Sequence, residues 1–144
     1  MPFYDEIEYF LDPRDYNKFK QLPGDGKKAY LERFWRTHNY NEIAERFEYA
    51  DEHYRLGDTP GRKTDRGRIH VKYGQPDEIE FPLPLQLHES KPYEHWQYVN
   101  GQQFVFVDIR GVNDYVLVWT NAIGERSQPT LYKYLPPGII DAGY

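Results

Sequence analysis

The chain has no cysteine among its 144 residues. That excludes disulfides, thiolate metal sites and a cysteine nucleophile together, and leaves the compartment open. Serine is almost as scarce: Ser90 and Ser127 are the only two, both in loop-like surroundings, and no GxSxG elbow surrounds either. No apolar run approaches the ~20 residues a membrane helix needs, so no membrane insertion by this segment is expected. The first residues, MPFYDEIEYF, carry neither a basic n-region nor an apolar h-region. The expectation is therefore a cytosolic chain or an excised piece of a longer one. Internal repeats and low-complexity segments are also missing.

Aromatics are abundant by contrast. Fourteen Tyr, eight Phe and three Trp make up 17% of the residues. Tyrosine joins a large apolar body to a hydroxyl that needs a partner, which suits contact faces. It is also a strong β-former, so a sheet-rich core accounts for the same number.

The first 60 residues read as helical. Asp12-Pro13 is an N-cap followed by proline at the first helical position, opening a helix to about Leu22. Tyr30, Leu31, Phe34, Trp35 and His38 then recur at three- and four-residue spacings. In NEIAERFEYADEHYRLG, an Asn cap precedes the stripe Ile43, Phe47, Ala50 and Tyr54, and Gly57 closes it. Past residue 66 the period changes to 2. Ile69, Val71 and Tyr73 share one face of an expected strand, with His70 and Lys72 on the other. A long excursion with four prolines (Pro76, Pro82, Pro84, Pro92) follows. Then YEHWQYVNGQQFVFVDI predicts a hairpin on a type I′ Asn100-Gly101 turn. A second turn, RGVND, leads into YVLVWT. These last two strands are apolar on both faces and should be covered on both sides.

Helices first and strands afterwards, without βαβ alternation, predict an α+β domain. Its N-terminal helices should pack on a roughly four-stranded antiparallel meander. The expected division is a helical part 3–56, a sheet part 66–120 and an irregular tail 121–144 that either wraps across the sheet or is partly mobile. Trp35, Phe47 and Phe106 are expected in the core.

Between Gly61 and Lys72 an acidic chain of net charge -5 gathers Arg62, Lys63, Arg66, Arg68 and Lys72 against Asp65 alone. On this stretch, TDRGRIHVKYGQPDEI followed by PYEHWQYVNGQQFVFVD resembles the GWxTD domain, named for Gly-Trp-x-Thr-Asp. The pentad here is Gly61-Arg62-Lys63-Thr64-Asp65, with Arg62 in place of the signature tryptophan. Upstream, ERFWRTHNYNEIAERFEYADEHYRLG is similar to the family's helical lead-in, so the resemblance spans roughly residues 10 to 120. It implies a mostly bacterial domain that forms the C-terminal part of larger exported proteins, placing it in the periplasm, at the cell surface or outside the cell. It implies no particular biochemical activity.

The candidate site is the Thr64-Asp65-Arg66-Gly67-Arg68 turn. Thr64 or Asp65 can accept from backbone N–H groups two or three residues on, and Gly67 permits positive φ or close approach. Entering a strand, Arg66 and Arg68 would project the same way and form a fork for a carboxylate or phosphate. The competing expectation pairs them with Asp77, Glu78 or Glu80 in an internal network. With the first 60 residues carrying 13 acidic against 9 basic side chains, no nucleic-acid partner is expected. His38, His53, His70, His88 and His95, with Asp77 and Glu78, show no metal-ligand spacing, and His70 and His95 across adjacent strands would supply two ligands at most. Asp65 with Asp77 or Glu78 is the one carboxylate pair for acid–base work. Beside arginines their lowered pKa values suit structure better. No catalytic residue, metal or cofactor is expected.

The remaining candidates are apolar. Leu83, Leu85, Leu87, Tyr93 and Trp96, near the proline-rich excursion, would either contact a partner or clamp the sheet. The functional expectation is a non-catalytic module contacting another protein or a flanking domain, its oligomeric state open. The alternative is an anion- or carbohydrate-binding or hydrolytic domain centred on the Thr64–Arg68 turn, and a third is a strand at 69–73 donated to a partner's sheet.

Overall fold

A computed structural model of the chain describes residues 7–82, 91–135 and 138–139. A short 3-10 helix at Ile7–Phe10 precedes α1 (Pro13–Lys20), α2 (Gly24–Thr37) and α3 (Tyr40–His53). A second 3-10 turn, Gly61–Lys63, leads into α4 (Asp65–Tyr73). The strands β1 (Glu78–Glu80), β2 (Tyr93–Gln97), β3 (Gln103–Asp108) and β4 (Tyr115–Thr120) form one antiparallel sheet in sequence order. A last 3-10 helix spans Pro129–Tyr134. The architecture is α+β, helices followed by a four-stranded meander.

Local chemistry explains the helix ends. The Asp12 carboxylate accepts from the Asp15 N–H at 2.9 Å, satisfying an orphan donor of α1. Asn39, not Asn41, caps α3 by accepting from the Glu42 N–H.

The stretch 69–73 is helix, not strand, so the sheet begins at Glu78 instead of residue 66. Thr64 supplies the N-cap of this helix, and Gly74 ends it with φ 85. The strand expectation failed because α4 is enclosed. Ile69, His70 and Val71 are three consecutive buried residues, so no one-sided stripe of period 3.6 appears. The fourth strand comes instead from Glu78–Glu80, inside the proline-rich excursion expected to be irregular. With 69–73 helical, its donation to another sheet drops out.

The Asn100-Gly101 turn is real but not type I′. Gly101 takes φ 94 and its N–H bonds to the Tyr98 carbonyl, while Asn100 keeps a negative φ. Type I′ requires positive φ at both central residues.

Alternation sorts the sheet's two faces. Trp96 opposes Phe104, and Phe106 opposes Leu117. These four turn toward the helices and join Trp35, Phe47, Ala50 and Ile69 in the main core. Val105, Val107, Val118 and Trp119 form a second cluster on the other face, covered by Leu131, Tyr132 and Leu135. The tail thus crosses the sheet, and β3 and β4 are covered on both sides, as their doubly apolar pattern predicts. Trp35, Phe47 and Phe106 are all buried. No described helix is long and apolar enough to cross a membrane.

Candidate functional site

The Thr64–Arg68 segment is the junction between helices and sheet. The Thr64 hydroxyl donates to the Gly61 carbonyl at 2.6 Å and accepts from the Gly67 N–H at 3.2 Å, so one side chain ends the 3-10 turn and starts α4. Gly67 is needed for close approach: a Cβ there would lie 1.6 Å from the Gly61 carbonyl oxygen. Gly61 repeats the arrangement one layer on, 1.7 Å from the Ala50 carbonyl oxygen of α3 by the same measure. Three backbone layers are therefore in direct contact.

Asp65, at the first position of α4, spends both carboxylate oxygens. One accepts from Arg68 at 2.9 Å and the other from the Leu117 N–H of β4 at 2.7 Å. Between Val105 and Phe106 the register shifts, leaving Val118 as the extra residue of a bulge. Gln128 completes that edge, its N–H bonding the Val118 carbonyl and its side chain the Leu117 carbonyl. The Ser127 hydroxyl accepts from the Thr120 N–H. Ser127 is thus bonded in both directions to the Thr120 backbone.

Because the segment is helical, Arg66 and Arg68 diverge by a little over half a turn and form no common fork. Arg66 turns inward and is buried. Its guanidinium donates to Glu94 at 2.9 Å and lies over the rings of Tyr115 (4.1 Å) and Tyr54 (4.9 Å). Glu94 shares the helix-facing side of β2 with Trp96, whose indole N–H donates to its other oxygen at 3.0 Å. Burial pushes the Tyr54 and Tyr115 hydroxyls above their usual pKa, so both stay neutral beside Glu94. Arg68 turns the other way, bridging Asp65 and Glu125 at 2.9 and 3.0 Å. Lys72 reaches the second oxygen of Glu125, whose side chain is only 5% exposed.

The expected partners of these arginines are corrected. Asp77 accepts from the Val99 N–H, Glu78 is exposed, and Glu80 bonds Gln97. The actual acids, Glu94 and Glu125, lie 28 and 57 residues away in sequence. Nothing local could single out Glu125. Glu94 had a signal in the Glu94-x-Trp96 alternation of β2. Asp65 is not paired with Asp77 or Glu78.

Trp96 is fully buried and stacks edge-on against Phe106 at 4.8 Å, so it is core and not a partner contact. Tyr93 is half-buried against the second cluster. Leu83, Leu85, Leu87 and His88 lie outside the described residues. His70 sits in α4, stacked on Tyr49 at 4.4 Å, whereas His95 in β2 bonds Gln103. They are not on adjacent strands. Among the described residues no three His, Asp or Glu gather where a metal could be held.

Two depressions stand out among the described residues. A polar one of about 490 Å³ lies beside Asp65, Arg68, Glu125 and Gln128, with exposed Arg126 on its rim. A more apolar one of about 430 Å³ runs along α2 against the first 3-10 helix, lined by Phe10, Leu11, Tyr30, Arg33 and Phe34. Sequence reasoning missed this second feature, because its residues come from two helices that read as ordinary core faces.

Comparison of the chain with protein-family models, curated proteins and solved structures finds no match.

Proposed function

We propose that this domain is a non-catalytic interaction module that contacts another protein or a flanking domain. One observation carries the reading: the charges of the Thr64–Arg68 turn are consumed internally. Asp65 has no free oxygen, Arg66 is enclosed by Glu94 and two tyrosines, and Arg68 joins two carboxylates. A general acid needs a poised pKa and access to substrate. Carboxylates whose oxygens are taken up by guanidinium groups and backbone N–H groups lack that access. Membership of the GWxTD family, with a place in a larger exported or cell-envelope bacterial protein, belongs to the same proposal and rests on the ordered sequence motifs.

The polar depression beside Arg68 favours a second reading, in which the site takes a small anion or sugar with Arg126 as the incoming contact. The two readings separate in one experiment. The 15N-labelled domain is titrated with phosphate, nucleotides and acidic sugars at two salt concentrations while the Gly67 and Arg126 amides are followed. The interaction module predicts no saturable shift at either. Saturable, salt-sensitive shifts at both would replace it with the ligand-binding reading.

A further inference from the structure

We infer that the groove between α2 and the Ile7–Phe10 helix is the docking site for a short acidic–apolar peptide segment of another protein. The inference rests on the interaction-module reading and names the surface and partner chemistry for it.

The groove's floor is aromatic. Phe34 is buried, and Phe10 and Tyr30 are half-buried. Phe10 and Phe34 meet at 6.4 Å between ring centres, tilted at 44°. Its volume of about 430 Å³ falls in the lower part of the ~300–1,000 Å³ range of ligand pockets. His38 forms one end, held flat on Phe34 at 3.9 Å by a hydrogen bond from Nδ1 to the Phe34 carbonyl at 2.9 Å. The end wall is therefore fixed.

The rim decides the chemistry of the occupant. Arg33 lines the groove, is exposed, and has no ion-pair or hydrogen-bond partner among the described residues. Among the described residues Arg46, Arg62, Arg66, Arg68 and Arg110 each meet a carboxylate, whereas Arg33 belongs with exposed Arg14, Arg36 and Arg126, which meet none, and of these four it alone lines this groove. Helix α2 itself carries Lys27, Lys28, Arg33 and Arg36 against Asp25 and Glu32, a local excess of positive charge in an acidic protein. A planar guanidinium beside an apolar trough matches a carboxylate next to a large apolar side chain. The apolar group fills the trough while the carboxylate forks onto Arg33. An all-apolar partner would leave Arg33 desolvated and unpaired, and a basic one would be repelled.

The test uses an acetylated, amidated peptide of sequence Glu-Leu-Phe-Asp-Leu-Glu and its Gln/Asn counterpart, titrated into the 15N-labelled full chain. Saturable shifts confined to 7–11 and 30–38 are expected. Both Arg33→Glu and removal of the peptide's charges should weaken binding about tenfold or more. Arg33 is exposed, so that variant should keep the parent's melting temperature. Arg14→Glu, an exposed charge on α1, should change affinity less than twofold. The inference is overturned by shifts outside the groove, by equal affinity for the uncharged peptide, or by equal loss in the two variants. It is overturned as well if dilution of the peptide-free chain moves the same amides, since the occupant would then be a second copy. Each of these leaves the interaction-module reading standing, which fails separately on anion-induced shifts at Gly67.

Discussion

Gly67 and Gly61 meet backbone to backbone, closely enough that a methyl group on Gly67 would overlap the Gly61 carbonyl oxygen. The same carbonyl accepts the Thr64 hydroxyl and the Thr64 N–H, so it cannot swing aside without losing the start of α4. Gly67→Ala should therefore cost at least about 3 kcal/mol, lowering the melting temperature of a domain this size by roughly 10 °C. Differential scanning calorimetry reads this directly. A variant within 2 °C of the parent would mean that the two segments can separate at little cost.

Arg66→Ala strands the Glu94 carboxylate beside Trp96 and removes the cation between Tyr54 and Tyr115. Breaking a largely buried pair this way costs about 3–5 kcal/mol. Here the lower end is expected, because Glu94 keeps 17% exposure. Arg66→Lys retains charge but loses the planar stacking group, so an intermediate loss should appear. Urea unfolding followed by tryptophan fluorescence ranks the three proteins. Equal stability for Arg66→Ala and Arg66→Lys would assign the loss to ring stacking instead of charge.

Asp65→Ala should act locally on β4. The Leu117 N–H loses its acceptor, and Arg68 is left with Glu125 alone. A hydrogen bond to a charged group contributes about 1.5–3 kcal/mol. Hydrogen exchange at the Leu117 amide should accelerate by at least about tenfold under conditions where the Phe104 amide of β3 is unchanged. Uniform acceleration across the sheet would show global destabilisation instead.

His70 makes stability depend on pH. Burial, then the nearby Arg46 and His53 charges, lowers its pKa from 6.5 to about 4. Between those values the unfolded chain binds a proton that the folded one excludes. Its contribution is thus fully present above about pH 6.5 and is lost as pH falls toward 4, up to about 3 kcal/mol. The urea midpoint should fall measurably from pH 7 to pH 5, before most carboxylates protonate. In His70→Phe, which keeps the stack on Tyr49, that fall should largely vanish. An unchanged fall would place the titrating group elsewhere.

What could be read along the chain were features whose cause lies within a few residues. Asp12-Pro13 opens α1, the stripe Ile43–Phe47–Ala50 faces the core, and the apolar runs of β3 and β4 require cover on both sides. The α+β order followed from these. The misreadings share one origin. Ile69–Tyr73 alternates like a strand, but its first three residues are all buried, and burial of consecutive residues erases the amphipathic signal that separates helix from strand. The three-residue β1 was too short to declare itself among prolines.

The sequence alone therefore determined the Asp12-Pro13 start of α1, the hairpin position and the excess of positive charge around Gly67, because each is a local property of neighbouring residues. Only the tertiary structure decided where that charge goes. Whether Arg66 meets Asp77 or Glu94, and whether Arg33 meets anything, depends on which distant surfaces the burial of aromatic area brings together. Ion pairing adds little to that burial and follows the geometry it imposes.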